Sequence, residues 1–330
     1  MPRLDLRTLT VLLAAAVTAC RPPAPPAEAG AGDGNGSAAY TGPVIDVHVH
    51  AFTEASAPGF FGVEHPPTLR GETFAGVASP EEQRRETVAR LRANNVVKAV
   101  VTDGGLWLDA DPELEDLILV GGGMLPPDAL RAQHAAGNLD VLAELAPFYQ
   151  GLMADDPAVE RYFALAAELG VPVGFHIFPG GPTSGPYRGM PMLDRVRAYN
   201  ADPLQLEDVL VRYPDVKVYV MHGGWPYVED MKALMYAHPQ VYVDVSVVNW
   251  LLPEAELHAY LKELLDAGFG DRILYGSDQM VWPQTIDIGI ASVNSAPFLT
   301  LEQKEDIFYD NAAALLGLSA EEIEAHKAGG

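Results

Sequence analysis

The sequence predicts a (β/α)8 barrel, and three observations predict it. Eight short apolar runs rich in Val, Ile and Leu alternate with helical segments between residues 44 and 316, the order that builds a parallel sheet with right-handed crossovers. The 330 residues are 48% hydrophobic, enough for one large core and a barrel of about 250 residues with extensions. An open doubly wound sheet is the alternative. No Gly-x-Gly-x-x-Gly or P-loop follows an early strand, so its nucleotide-binding versions lack their phosphate cradle.

In chain order, Arg3 and Arg7 precede the apolar run Leu9 to Ala19, too short to span a bilayer as a helix. A basic start, a short apolar core and small residues make 1–19 a signal peptide. It ends in Val17-Thr18-Ala19-Cys20, which resembles a bacterial lipobox. That resemblance implies an exported, membrane-anchored lipoprotein of the cell envelope, on its periplasmic or extracellular face, with lipid on Cys20. An ordinary cleaved signal is the alternative. Residues 20–41 continue in Pro, Ala, Gly and Ser and read as a flexible linker, leaving 42–330 as the folded domain. Cys20 is the single cysteine, so no intrachain disulfide is possible. The net charge of −24 argues against nucleic acid and anionic membrane surfaces as partners. Membrane contact is therefore expected only through the lipid, and the expected partner is a small-molecule substrate. Homo-oligomerisation stays open.

The first strand, Val44 to His50, alternates β-branched and polar residues, so Asp46, His48 and His50 share a face. A Gly- and Pro-rich loop, Ala51 to Ala78, follows and is expected over the barrel mouth. Ser79-Pro80-Glu81-Glu82 opens a helix to about Ala93 as a capping box with Pro at the first position. Further strands are predicted at Val96–Thr102, Leu117–Val120, Leu139–Leu145, Val171–Phe178, Val216–Met221, Val241–Val247 and Arg272–Gly276, apolar enough to be buried on both faces. The helices between them are Pro127–Ala135, Pro157–Leu169, Pro203–Tyr213, Pro226–Ala237 and Pro253–Ala267. A last helix, Leu301–Leu316, is capped by Thr300 and stopped by Gly317.

Barrel enzymes build their sites at the C-terminal strand ends. There the sequence places His48 and His50, Glu144, His176, His222 and Asp278. A lone histidine in such a place more often fills space; three imidazoles and a carboxylate at the ends of one barrel form a set suited to Zn²⁺, with Mn²⁺ or Fe²⁺ as alternatives. Asp244 and Ser246 alternate on the seventh strand as support for ligating histidines. Tyr149, Trp225, Gln279 and Trp282 lie just past strand ends and are candidate pocket walls. The other five histidines, His65, His134, His238, His258 and His326, read as structural or exposed.

His48-Val49-His50, His176, His222 and Asp278 in this strand order resemble the amidohydrolase superfamily. The phrases Met221-His222-Gly223-Gly224-Trp225-Pro226 and Tyr275-Gly276-Ser277-Asp278, with Asn311-Ala312-Ala313, resemble its amidohydrolase-related branch, which includes aminocarboxymuconate semialdehyde decarboxylase, resorcylate-type decarboxylases and pyrone dicarboxylate lactonase. The likeness spans roughly residues 43–318. It implies a metal-dependent hydrolase in which His48, His50, His176 and Asp278 ligate one divalent metal and Asp278 and His222 are catalytic. Binuclear members carry a carboxylated lysine on the fourth strand. Residues 139–151 hold no lysine, so a mononuclear site is expected, with Glu144 as a possible additional ligand or neighbour. Water on Zn²⁺ can have a pKa near ~7, so the expected reaction is attack on an ester, lactone or amide. The alternative is non-oxidative decarboxylation of a small carboxylic acid, for which the loop after the fifth strand offers Arg188, Arg195 and Arg197. A non-catalytic metal-binding lipoprotein is the further alternative.

Overall fold

The computed structural model describes residues 38–180 and 195–329. The predicted signal peptide, Cys20, the linker up to residue 37 and Arg188 lie outside the described residues. Eight parallel strands appear: β1 Val44–His50, β2 Val96–Thr102, β3 Ile118–Gly121, β4 Leu142–Leu145, β5 Val173–His176, β6 Val218–Met221, β7 Val241–Asp244 and β8 Ile273–Leu274. Their ladders run in sequence order, β1 to β3 and β4 to β8. Two seams close the ring. Gly122 and Gly123 donate to Val141 O at 3.0 Å and Ala143 O at 2.8 Å, and Val47 donates to Tyr275 O at 3.0 Å. This is the (β/α)8 barrel, and apolar side chains of every strand are buried.

The helices are α1 Pro80–Ala93, α2 Gly105–Ala110, α3 Pro127–Ala135, α4 Pro157–Leu169, α5 Glu207–Arg212, α6 Val228–Ala237, α7 Val248–Leu251, α8 Glu254–Asp266, α9 Thr285–Asn294, α10 Leu301–Glu305, α11 Asn311–Leu316 and α12 Ala320–Gly329. Several differ from expectation. Strands β4 to β8 are shorter than their apolar runs, because the run continues into the loop that carries the polar end residue. The helix expected from Pro203 starts as a 3-10 turn, Pro203–Leu206, with Asp202 accepting from Leu204 N–H at 2.9 Å. The last helix contains a π-turn, Asp306–Asp310, between α10 and α11. Helix α9 was not expected, because Thr-Ile-Asp-Ile-Gly-Ile reads as poor helix former. Packing overrides propensity there: a Cβ on Gly289 would lie 3.0 Å from Asn249 side-chain atoms, so this face of α9 must be bare. At α1, Ser79 accepts from Glu82 N–H at 3.2 Å, but the Glu82 carboxylate reaches back to Ala78 N–H rather than to Ser79.

The loop 51–78 covers the ends of β7 and β8. Val77 and Leu69 donate to Val281 O at 3.0 Å and Leu251 O at 3.1 Å. His65 stacks edge-on against Trp282 at 4.6 Å and Trp250 at 5.3 Å, and Trp282 Nε1 donates to Val63 O at 2.9 Å. Arg70 latches this lobe: it donates to Leu252 O, to Ser292 Oγ at 2.8 Å and to Asn249 O at 2.7 Å. Truncating it leaves three acceptors without that donor, so Arg70→Ala is expected to release the lobe locally, at about 1–3 kcal/mol. The check is hydrogen exchange: amides of Gly62 to Val77 speed up while the β1 and β2 amides do not.

Candidate metal centre

Period-2 geometry and a register shift between Asp46 and Val49 bring the end of β1 into the barrel mouth. His48 and His50 are buried there, with His176 from the end of β5, His222 just past β6, and Asp278 past β8. Glu144 of β4 stands among the four imidazoles. Its Oε1 pairs with His176 Nδ1 and lies 3.9 Å from His222 Nε2; its Oε2 lies 3.4 Å from His50 Nε2 and 3.9 Å from His48 Nε2. Asp278 Oδ1 is 3.0 Å from His50 Nε2 and 3.8 Å from His48 Nε2. Ligand atoms of His48, His222 and Asp278, of His48, His50 and Glu144, and of Glu144, His176 and His222 each lie within 4.8 Å of one another.

Beneath the cluster, Asp244 and Ser246 set the rings. Asp244 Oδ1 accepts from His222 N–H at 2.9 Å, from Ser246 N–H at 2.9 Å and from Ser246 Oγ–H at 2.6 Å. The serine has one hydroxyl proton and gives it to Asp244. It is therefore an acceptor toward His48 Nδ1 at 2.9 Å and His222 Nδ1 at 3.0 Å. Both rings then carry a proton on Nδ1 and turn Nε2 to the mouth. His176 Nδ1 sits between Glu144 Oε1 and His222 Nε2, the latter at 3.0 Å. Both are acceptors, so its proton stays on Nδ1 and its Nε2 is bare.

Three imidazole nitrogens of this cluster are buried with no hydrogen-bond partner among the described residues, His48 Nε2, His50 Nδ1 and His176 Nε2, and Asp278 Oδ1 lies against the His50 and His48 rings, at 3.0 Å and 3.8 Å. Orphaned buried polar atoms cost free energy and are rare. Here they are three imidazole nitrogens beside a carboxylate oxygen, the donor chemistry a divalent cation takes. The residues present therefore fit a metal ion.

Charge in the cluster is balanced against burial. Burial works to raise the Glu144 carboxyl, but His176, His222 and His48 outweigh it and hold it well below the usual carboxylate range. Burial likewise opposes Asp278, which His48, His50 and His222 bring down to about 2. Burial works to lower His48, but Asp278, Asp244 and Glu144 hold it well above the usual histidine range.

Backbone conformation aims these groups. His222, Val247, Asp278 and Met280 have φ of 61°, 60°, 47° and 46°, left-handed values that cost a non-glycine residue roughly 1–2 kcal/mol each. Gly276 allows close approach: a Cβ there would lie 2.9 Å from His48 Cβ and 3.2 Å from Ser246 Cβ.

The remaining candidates divide. Tyr149 packs at a tilt against His176, with ring centroids 4.9 Å apart. Gln279 clamps the His50 backbone, accepting from its N–H at 3.0 Å and donating to its carbonyl at 2.8 Å. Trp225 is partly buried and donates to Glu256 at 3.1 Å, on the rim. Trp282 is 1% exposed and packs beneath the loop 51–78, so it does not wall an open pocket as expected. Arg195 and Arg197 are exposed and donate to Gln150 O at 3.4 Å and Val196 O at 2.7 Å. Sequence reasoning missed Phe52, stacked on His50 at 4.9 Å, and Gln83, which donates to His50 O at 3.1 Å and Met280 O at 2.6 Å. No sequence signal marks Gln83, since glutamine is ordinary on a helix; Phe52, two residues past His50, could have been named.

A sequence profile described as amidohydrolase matches residues 45–318. Among solved structures, a probable 2-pyrone-4,6-dicarboxylic acid hydrolase from Acinetobacter baumannii is similar at 16% identity and a TM-score of 0.56, over 83% of this chain and 99% of that one. A 5-carboxyvanillate decarboxylase from Sphingomonas paucimobilis is similar at 14% identity and a TM-score of 0.56, over 84% and 99%. A 5-carboxyvanillate decarboxylase from Novosphingobium aromaticivorans, complexed with manganese, is similar at 15% identity and a TM-score of 0.57, over 86% and 99%. At these identities the likeness is one of fold. Protein fluG of Emericella nidulans is 24% identical over 90 residues, and the match spans 27% of this chain and 10% of that protein.

Replacing Asp244 by Ala strips acceptors from two buried N–H groups and a buried hydroxyl. The expected cost is about 3–5 kcal/mol, read as a lowered denaturation midpoint in urea.

Proposed function

The chain belongs to the amidohydrolase family, and from that premise we propose that His48, His50, His176 and Asp278 hold one divalent metal ion at which the enzyme hydrolyses an ester, lactone or amide. The observation that carries this reading is the burial of three imidazole nitrogens without hydrogen-bond partners, on His48, His50 and His176, beside Asp278 Oδ1, which lies 3.0 Å from His50 Nε2 and 3.8 Å from His48 Nε2. Zn²⁺ suits three imidazoles and a carboxylate best, with Mn²⁺ and Fe²⁺ next; the manganese in the Novosphingobium decarboxylase structure supports keeping Mn²⁺ in the trial. Glu144, among the four imidazoles, is the residue that would take part in a second metal site.

When bound, such an ion polarises a carbonyl oxygen and brings the pKa of bound water toward about 7. Asp278 accepts the proton that the attacking water loses and hands it to the leaving group. His222 is held at Nδ1 by Ser246, and its Nε2 faces the mouth beside His176 Nδ1 at 3.0 Å. Its role is to hold the oxygen that gains charge, a contact worth roughly 3 kcal/mol in comparable sites. Phe52, stacked on His50, and Tyr149, tilted against His176, pack on these rings and keep them in place.

Non-oxidative decarboxylation is the second reading: a substrate carboxylate calls for a cation at the mouth, and Arg195 and Arg197 are the described arginines of the loop after β5. We also propose that Cys20 bears lipid and tethers the domain, on the strength of the preceding Val17-Thr18-Ala19.

Elemental mass spectrometry of protein purified without chelator tests the metal. About one equivalent of Zn²⁺ or Mn²⁺ per chain is expected; none after reconstitution overturns the proposal, and about two promotes Glu144 to a ligand. His176→Ala is expected to lose the metal while keeping its circular dichroism spectrum. His222→Asn is expected to retain the metal and lose about 10²–10³ in kcat on an ester or lactone substrate. For the tether, Cys20→Ser is expected to abolish incorporation of labelled palmitate; unchanged labelling would place the lipid elsewhere.

A further inference from the structure

A cavity of about 470 Å³ opens beside the histidine cluster, at the ends of β2 and β3. Its lining includes Thr53, three residues past His50, and Asp103, one residue past Thr102, which is the register partner of His50. Leu106 and Leu125, both exposed, supply apolar wall. The polar wall is made of acceptors. Asp103 and Asp109 are carboxylates, and Gln133 Oε1 is buried without a hydrogen-bond partner. The lining holds no Lys, Arg or His, and no hydrogen bond or ion pair reaches the Asp103 side chain from the described residues. Burial raises the Asp103 carboxyl, and His50 partly offsets this, so the group is both desolvated and within the field of the cluster.

We propose that this cavity is the subsite for the non-reacting end of the substrate and that it selects an organic cation, an amine whose ammonium group sits on Asp103 while its carbon chain lies along Leu106 and Leu125. The proposal rests on the hydrolase reading above and adds the substrate class. An ammonium group carries N–H donors and no acceptor. It therefore matches the acceptors of this wall, the Asp103 carboxylate and the orphaned Gln133 Oε1. A carboxylate brought to the same place meets two like charges and no donor side chain except Thr53, Ser56, Gln133 and Asn138.

The test is isothermal titration calorimetry of the metal-loaded protein with cadaverine, the matching five-carbon diol and glutarate, at physiological ionic strength. Cadaverine is expected to bind about tenfold tighter than the diol, the worth of one charge-assisted contact, with glutarate weakest. Asp103→Asn is expected to erase the advantage of cadaverine, whereas the same change at exposed Asp266 leaves it intact. Should Asp103→Asn fail to fold, Asp109→Asn is expected to show a smaller loss in the same direction. Glutarate binding as tightly as cadaverine, or an unchanged cadaverine affinity in the Asp103 and Asp109 variants, overturns the proposal. Cadaverine preference without hydrolysis of any ester, lactone or amide keeps the subsite and overturns the hydrolase reading. Hydrolysis without any preference does the reverse.

Discussion

Everything at the mouth of this barrel depends on one buried carboxylate. Asp244 is fully buried, and a bare charge there would be prohibitively costly. It is tolerated because donors from two elements converge on it: the His222 N–H past β6, and the Ser246 N–H and hydroxyl past β7. The His48 ring of β1 completes its surroundings, with Nδ1 at 3.2 Å. This constraint fixes more than stability. By taking the single proton of Ser246, Asp244 decides which nitrogen of His48 and His222 carries hydrogen, and therefore which lone pairs face the cavity. The chemistry of the site is set one layer below the atoms that perform it.

That arrangement has a backbone cost. The chain leaves β6, β7 and β8 through left-handed conformations at His222, Val247 and Asp278. None is a residue type that prefers the region strongly, apart from the mild tolerance of Asp and His. The surrounding packing over-determines them: Asn249 donates to Gly276 O at 2.9 Å, Trp250 to Ser277 O at 2.8 Å, and Ser277 N–H to Asp46 Oδ1 at 2.9 Å. The lobe formed by residues 51–78 closes over these same turns through Trp282, His65 and Arg70. It acts as a brace for the strained ends, which is why its aromatic residues are sealed rather than presented to a ligand.

Reactive centre and recognition surface are spatially divided. The histidine cluster is buried, with the Glu144 and Asp278 carboxyls held low by neighbouring imidazoles. The cavity at β2 and β3 is open and acidic, and follows the overall charge of −24. Helix α2, of only six residues, Gly105 to Ala110, contributes Gly105, Leu106, Leu108 and Asp109 to its wall.

Much of this was legible in the chain. Apolar runs of strand length, proline at helix starts and glycine at helix stops are local signals, so the eight strands, their order and the residues at their ends follow from neighbours along the sequence. His48, His50, His176, His222 and Asp278 could be named for the same reason: each ends an apolar run. Local signals also set the limits. Gly289 made α9 look unhelical, since only its contact with Asn249 explains it. Trp282 looked like a pocket wall because its position after β8 was visible and the lobe covering it was not. What only the tertiary structure decided is which atom of each ring faces which neighbour, that Gln83 and Gln279 clamp His50, and that Asp103 lines a cavity beside it. Those relations join residues far apart in sequence, 196 positions in the case of His48 and Asp244. Burial and hydrogen-bond satisfaction exist only once the ring has closed.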